Sequence, residues 1–247
     1  MTMQLTILGS GDAFSSGGRY NTCLKLEAAG DTLLIDMGAS AMLAIERAGL
    51  DRNGVGTILF THFHGDHFAG LPFFLLDACF VARRSQPLTI AGPKGVEARA
   101  LGLVEALYPG ILAKHARFDL RFVEVSPGDP ATFGALTVDA FPMVHDEAAG
   151  PCQGYRVSAA GRRFAFTGDT GWTEALVDLA RDADVFLSEC CFVDLPLANH
   201  LNWRQLEMMR DRLSCRRMIV THMAPDMLAF DGKMFADKAF DGMTVTV

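Results

Sequence analysis

The chain alternates between short apolar runs and longer segments whose apolar positions recur at helical spacing. Apolar runs of this length, bounded by polar or glycine-containing turns, are typical of buried strands. The predicted strands are residues 5–8, 22–27, 32–36, 57–60, 88–91, 120–125, 136–141, 154–157, 163–166, 184–187, 218–220 and 241–245.

Helical segments lie between these runs. They are expected at residues 36–48, 68–80, 92–108, 174–180 and 203–213, whereas residues 111–118 are ambiguous. Strand and helix alternate along the whole length without a linker or a low-complexity segment, so we expect one α/β domain over residues 1–247. The Gly-Ser-Gly turn at residues 9–11 is too short for a dinucleotide fingerprint and no helix follows it, which argues against nucleotide binding.

Composition and charge favour a globular protein with a core and disfavour unspecific binding of nucleic acid. Half of the residues are hydrophobic and 21% are charged, which is enough for a sizeable core. The formal net charge of −7 disfavours unspecific nucleic-acid binding, although it leaves room for a local basic groove. The arginine pairs at residues 83–84, 162–163 and 216–217 are expected to be solvated surface charges.

The cysteines and the N-terminal residues indicate in which cellular compartment the protein is expected. The six cysteines show no Cys-x-x-Cys spacing, so we expect free thiols in a reducing environment. Residues 1–4 lead straight into a strand with no signal-peptide pattern, and the apolar runs are far shorter than the roughly 20 residues of a membrane span. The expected location is the cytoplasm.

The strongest chemical signal is the pattern His62-x-His64-x-Asp66-His67, between a predicted strand and a predicted helix. Alternate histidines on a tight loop can converge on one ion, and the two following side chains can turn toward a second. Neutral imidazole and carboxylate are the ligands of borderline divalent metals, zinc above all. The motif therefore predicts a metal site.

This motif resembles the signature of the metallo-β-lactamase superfamily, whose fold is a four-layer αββα sandwich. The resemblance implies three further ligands, each directly after a strand: a histidine, a bridging aspartate and a final histidine. His145, Asp169 and His222 match these in order. It also implies that Asp36, in an Asp-x-Gly turn, supports the metal loop, the alternative being an ordinary helix cap.

The implied arrangement is a dinuclear site with open coordination positions. One metal would lie on His62, His64 and His145, the other on Asp66, His67 and His222, with Asp169 bridging. Zn²⁺ is the expected ion, and Mn²⁺ and Fe²⁺ are the alternatives because their ligands overlap. Such a site would support hydrolysis by attack of a metal-bound hydroxide, with Asp66 also orienting or deprotonating the water.

Two further residues resemble the RNase Z branch of the superfamily. In that branch a glutamate and a later histidine help to protonate the leaving oxygen, and Glu189 and His200 match them. His64 stands where the redox diiron branch carries a glutamate, which favours hydrolysis over oxygen chemistry. His115 is left as a structural or surface residue.

The chain departs from RNase Z in one respect that bears on the substrate. Residues 95–145 contain no basic, glycine-rich arm of the kind with which RNase Z clamps tRNA. We therefore expect a small or cyclic phosphodiester as substrate, with RNA disfavoured and a homodimer suggested by analogy alone. The alternatives are hydrolysis of a lactone, thioester, β-lactam or sulfate ester in an apolar pocket, and a metal-binding protein without turnover. Six side chains could line that pocket: Phe14, Phe63, Phe68, Met143, Phe192 and Met223.

Overall fold

The computed structural model describes residues 2–247, and two seven-stranded sheets form its centre. The first sheet contains, in spatial order, β14 (Met243–Thr246), β1 (Met3–Gly9), β2 (Cys23–Ala28), β3 (Asp31–Ile35), β4 (Val55–Leu59), β5 (Leu88–Gly92) and β6 (Leu120–Glu124). The second contains β13 (Asp237–Lys238), β12 (Cys215–Thr221), β11 (Ala183–Glu189), β10 (Arg162–Phe166), β9 (Gln153–Ala159), β8 (Leu136–Pro142) and β7 (Ala131–Phe133).

The two sheets repeat one pattern of strand direction. Strands β1, β2 and β3 pair antiparallel, and β3 to β6 pair parallel. In the second sheet β7 to β10 pair antiparallel, and β10 to β13 pair parallel. Each half of the chain therefore builds an antiparallel meander that continues into parallel strands.

Helices cover the outer faces of both sheets. They are α1 (Ala41–Arg47), α2 (Gly65–Phe68), α3 (Leu71–Phe80), α4 (Val96–Leu107), α5 (Ile111–His115), α6 (Ala175–Ala180), α7 (Trp203–Met209) and α8 (Pro225–Ala229). The ambiguous residues 111–118 thus contain α5. The helix expected at 203–213 ends earlier, and a 3-10 turn at Arg210–Arg212 follows it. No helix in residues 2–247 combines the length and the apolar character that crossing a bilayer demands.

Three separate apolar clusters define the layers. The central cluster joins the inner faces of the two sheets and includes Leu5, Tyr155, Phe164 and Leu187. A second cluster packs α1, α3 and α4 on the first sheet, and a third packs α6, α7 and α8 on the second. The order is helix, sheet, sheet, helix, which confirms the predicted four-layer αββα sandwich.

The helix expected at residues 68–80 is broken in two at Gly70. The Gly70 backbone lies so close to the turn before α1 that a Cβ atom there would be 2.5 Å from the carbonyl oxygen of Gly38. Its N–H donates to the carbonyl of Met37 at 2.9 Å. Apolar periodicity does not encode this tertiary contact, so the prediction of one continuous helix was wrong.

Arg84 contradicts the expectation that the arginine pairs are solvated. Its side chain is 2% exposed, and its guanidinium donates hydrogen bonds to four backbone carbonyls, those of Arg52, Val55, Gln86 and Pro87. These acceptors replace the water that a surface arginine would bind, so burial of the charge is tolerated. The cysteines agree with expectation, since all six are free.

Candidate metal centre

The histidine-rich loop begins where β4 ends and closes into α2. His62 and His67 are fully buried, whereas His64 and Asp66 face a cavity at the surface. The rings of His62 and His64 lie edge to face with centroids 4.9 Å apart, and those of His62 and His67 are 4.2 Å apart. The tight connection between strand and helix thus gathers all four side chains of the motif.

Asp36 supports this loop from the end of β3. Its carboxylate accepts hydrogen bonds from the Thr61 N–H at 2.7 Å, from the Thr61 hydroxyl at 2.8 Å and from Nδ1 of His67 at 2.7 Å. The Thr61 hydroxyl in turn accepts from Nδ1 of His62 at 3.0 Å. The carboxylate therefore holds the loop, and the N-cap of α1 is Ser40 instead.

These bonds fix the tautomers of the two buried histidines in a form that suits a metal. With the proton on Nδ1, His62 and His67 each present a lone pair on Nε2, and both Nε2 atoms are buried without a hydrogen-bond partner. Oδ1 of Asp169 is buried and unpartnered as well. Buried polar atoms are almost always satisfied, so this cluster fits a bound cation. Burial lowers the pKa of His62, which keeps its imidazole in the neutral, ligating form.

His145 meets this cluster from the loop after β8. Its Nδ1 donates to the carbonyl of Asn199 at 2.9 Å, and its Nε2 lies 3.0 Å from Nδ1 of His64. The far nitrogen of His64, Nε2, donates to Oδ2 of Asp146 at 3.1 Å. The remaining lone pairs of the two rings then face each other, an arrangement that a cation between them would stabilise. The ligand atoms of His62, His64 and His145 all lie within 4.8 Å of one another.

A second group of donors lies beside the first. Nε2 of His67 is 3.3 Å from Oδ2 of Asp66 and 3.2 Å from Oδ1 of Asp169. Nε2 of His222 is 3.2 Å from Oδ2 of Asp66 and 3.3 Å from Oδ2 of Asp169. Burial alone would lower the pKa values of both histidines, but the two carboxylates raise them well above the usual value. The carboxylates therefore favour a second proton on each of these rings, and a divalent ion bound at the same place would replace those protons and leave Nε2 free to ligate.

Asp169 reaches both groups because of the turn on which it lies. Gly168 precedes it with φ 59°, and a Cβ atom at that glycine would be 2.9 Å from Cβ of Thr61, so the turn packs directly against the histidine loop. Oδ2 of Asp169 is 3.8 Å from Nε2 of His145, and Oδ1 is 3.2 Å from Nε2 of His67. His222, at the end of β12, also has a left-handed backbone with φ 58°. Strained backbone of this kind clusters at functional sites.

The structure thus brings all seven predicted ligands together at the carboxyl ends of the strands. They form a group of three, His62, His64 and His145, and a group of four, Asp66, His67, Asp169 and His222. Nitrogen and carboxylate donors in these numbers suit two divalent ions of the zinc type. Which residue binds which ion stays a prediction.

The predicted pair His200 and Glu189 lies against the same site. Nδ1 of His200 is 3.1 Å from Oε1 of Glu189, a fully buried carboxylate that also accepts from the backbone N–H groups of Thr170 and Leu201. Burial alone would lower the pKa of His200, but the hydrogen bond and charge of Glu189 raise it. The ring is 4.9 Å from that of His145 and stacks at 5.8 Å on that of His222. Its Nε2 is free of protein hydrogen bonds among the described residues.

Three residues of the site were missed by sequence reasoning. Asp146 orients His64, and the Asn199 carbonyl orients His145. Cys191 has its sulfur within 4.8 Å of ligand atoms of His200 and His222, although burial raises the pKa of its thiol and so disfavours the thiolate. Only Asp146, next to a predicted ligand, carried a signal in the sequence. A backbone carbonyl carries none.

The donors open into a surface cavity of about 650 Å³. Four aspartates and four histidines line it, and no lysine or arginine does so among residues 2–247. Of the six apolar side chains expected here, Phe14 and Phe192 line the cavity; Phe63, Phe68, Met143 and Met223 do not. His115 lies elsewhere, on α5 against Phe80, in agreement with its assignment as structural or surface.

Comparisons with known proteins agree with this geometry. A family model described as "Anti-Pycsar protein Apyc1" matches residues 3–240. Ribonuclease Z of Lachnoclostridium phytofermentans is 35% identical over 156 residues, which are 63% of this chain and 48% of that protein. The chain thus spans about half the length of this curated relative.

Two solved structures share the fold over almost the entire chain. The metallo-β-lactamase fold protein YhfI of Bacillus subtilis has a TM-score of 0.78 at 17% identity and covers 100% of this chain and 99% of its own. The short form of human tRNase Z has a TM-score of 0.78 at 21% identity and covers 98% of each chain. The family match over residues 3–240 shows that the chain belongs to the anti-Pycsar protein Apyc1 family, and the curated relative and the shared metallo-β-lactamase fold make it an RNase Z-like protein.

Proposed function

We propose that the protein is a phosphodiesterase that depends on two divalent metal ions and acts on a small or cyclic phosphodiester. The observation that carries the proposal is the position of His200. Its Nδ1 is held by buried Glu189, and its ring lies between those of His145 and His222 at the cavity wall. The proposed metal site leaves His200 without a role as a ligand, and its side chain lines the cavity in which the substrate would bind.

The residues that would hold the metals are the two groups of donors. His62, His64 and His145 would bind one ion, Asp66, His67 and His222 the other, and Asp169 both. When bound, divalent ions of this kind, most simply Zn²⁺, lower the pKa of water and neutralise charge that develops on phosphate oxygens.

The protein's own groups supply the proton transfers. His200 as the imidazolium donates a proton from Nε2 to the leaving oxygen, and Glu189 keeps the opposite nitrogen protonated and the ring oriented. Asp66 orients the attacking water. Burial would raise the pKa of Asp66, but the charge of His67 and the hydrogen bond to His222 lower it, so the carboxylate is ionised at neutral pH.

The charge of the cavity supports a small diester. Without lysine or arginine in the wall, the described residues offer no protein cation to a second phosphate or to a nucleic-acid backbone. Residues 96–142 form α4, α5 and strands β6 to β8, all within the sandwich, and provide no protruding arm. A single negative charge that meets the metal ions and His200 fits this wall, whereas a polyanion would face the exposed carboxylate of Asp146.

The test is hydrolysis of bis(p-nitrophenyl) phosphate by the metal-replete protein and by His200→Ala, with metal content measured on both. We expect wild type to turn over and the variant to keep its metals but lose about a hundredfold or more in rate. His115→Ala is the matched control because that histidine lies outside the site, and its rate should equal wild type.

Other outcomes separate the competing functions. A metal-replete wild type that leaves the diester intact but opens lactones or thioesters would favour the alternative hydrolase class, for which Phe14 and Phe192 offer apolar wall. Cleavage of RNA at a higher kcat/KM than of small diesters would overturn the small substrate while leaving the chemistry in place.

A further inference from the structure

Phe14 is the large hydrophobic residue with the greatest exposure in the described chain, at 89%, and it lies on the wall of the metal cavity. A single exposed apolar side chain is ordinary on a protein surface. Phe14 differs from such a residue in two respects: hydrogen bonds hold its backbone in place, and other apolar residues line the same cavity.

The loop that carries Phe14 is fixed by a buried carboxylate. Asp12 is 2% exposed and accepts hydrogen bonds from the N–H of Phe14 at 3.2 Å, the N–H of Ser16 at 2.8 Å and the hydroxyl of Ser16 at 2.7 Å. Ser15, between them, has a left-handed backbone with φ 54° and ψ 40°. Asn21 adds a bond from its side-chain amide to the Asp12 carbonyl at 3.0 Å. The backbone is thus ordered in a strained conformation that presents the phenyl ring to solvent.

An ordered loop with an exposed aromatic ring is suited to binding. The loop loses its conformational entropy during folding and need not lose it again when a ligand binds. Contact between the ligand and the Phe14 ring therefore contributes directly to affinity. Large exposed aromatic groups with few rotatable bonds are effective contact residues for this reason.

The rest of the cavity separates into two kinds of surface. The candidate metal-binding donors and His200 are the polar part of the lining and would take the phosphate. Phe192, Leu197, Ala224 and Pro225 belong, with Phe14, to the apolar part of the lining. A ligand that fills the cavity therefore needs one anionic group and one uncharged apolar group.

From this arrangement we infer that Phe14 determines substrate specificity by packing against a planar, uncharged substituent of the phosphodiester. The inference rests on the proposed function for the placement of the phosphate and adds the chemistry of the group attached to it. A flat ring matches the phenyl face over a large area, whereas an alkyl or charged substituent would leave that face in water or bring charge onto it.

The test uses direct binding to the metal-replete protein, so it does not depend on turnover. Isothermal titration calorimetry would compare diphenyl phosphate with dimethyl phosphate, two monoanionic diesters that share the phosphate and differ in the planar groups. We expect Phe14→Ala to raise the Kd of diphenyl phosphate about tenfold and to change that of dimethyl phosphate by less than about twofold. Phe14→Trp should retain tight binding of diphenyl phosphate, and Phe14→Leu should fall between the two.

Phe80→Ala is the matched control, since Phe80 is 47% exposed and lies outside this cavity. An equal change of both Kd values in Phe14→Ala, no change in either, or no binding of either probe to wild type would overturn the inference. Hydrolysis of bis(p-nitrophenyl) phosphate, measured alongside, tests the proposed function separately. Selective loss of diphenyl phosphate binding without any turnover would support the inference and reject the diesterase.

Discussion

Oδ2 of Asp36 lies 2.7 Å from Nδ1 of His67, and neither side chain is exposed to solvent. The same carboxylate holds Thr61, whose hydroxyl orients His62. One buried residue that does not face the cavity therefore sets the tautomer and orientation of two candidate ligands, one in each group of donors.

Asp36→Asn should weaken metal binding at both groups. An amide has one acceptor oxygen where the carboxylate has two, so at least one of its three donors loses its partner. We expect a loss of metal affinity of about 10- to 100-fold, measured by competition with a chromogenic chelator. Asp139→Asn, which alters a partly exposed carboxylate paired with Arg156, is the control and should bind as wild type does. Lower thermal stability with unchanged metal affinity would limit Asp36 to a structural role.

Asp146→Ala should affect one metal more than the other. Among the seven candidate ligands, the Asp146 carboxylate hydrogen-bonds only His64, which belongs to the group of three donors; its other oxygen accepts from the N–H of Ala148. The Asp146 side chain is 44% exposed, so water replaces part of the lost interaction. We therefore expect metal affinity to fall by only about tenfold. Dialysis at limiting metal followed by elemental analysis should then find close to one equivalent, against two for wild type. Equal loss of both equivalents would contradict this assignment.

Glu189→Gln should change the pH dependence of the reaction. The charge of Glu189 raises the pKa of His200, so the imidazolium that donates the proton persists to higher pH, and the rate falls once pH rises through that pKa. Glutamine keeps an acceptor oxygen but removes the charge, so the pKa of His200 falls and the alkaline limb of the kcat profile moves to lower pH. If kcat drops but the alkaline limb stays at the same pH, that limb reports the titration of a group other than His200.

Arg84→Met should destabilise the fold without touching the site. Methionine fills much of the volume but donates no hydrogen bond, which leaves four buried or half-buried carbonyls without their partner. We expect the free energy of unfolding in urea to fall by about 3 kcal/mol. Arg83→Ala changes the neighbouring side chain, which is largely exposed, and should stay within about 0.5 kcal/mol of wild type. Similar values for both variants would mean that water replaces the guanidinium.

The sequence was sufficient for the layers and for locating the seven candidate ligands that the structure brings together, and the reason is local. His145, Asp169 and His222 each follow a strand, and apolar runs locate strands well, so their positions could be expected from the strands that precede them. Resemblance supplied the order in which to look for them.

What the sequence could not predict depends on contacts between distant segments. The break at Gly70 arises from the turn at residues 37–38, and the burial of Arg84 arises from carbonyls that are up to 32 residues away. The sequence around Phe14 carries no pattern that distinguishes a buried ring from an exposed ring on the wall of a cavity. Residues of this kind are defined by packing, which becomes visible only in three dimensions.

The two groups of donors combine segments that are far apart along the chain. His64 meets His145 across 81 residues, and Asp66 meets His222 across 156 residues. During synthesis, a ribosome-bound chain that has not yet produced β12 holds the first histidines but lacks the final one. The two metal ions of the proposed function could therefore bind tightly only after both sheets have docked, and their binding would stabilise the finished chain against unfolding.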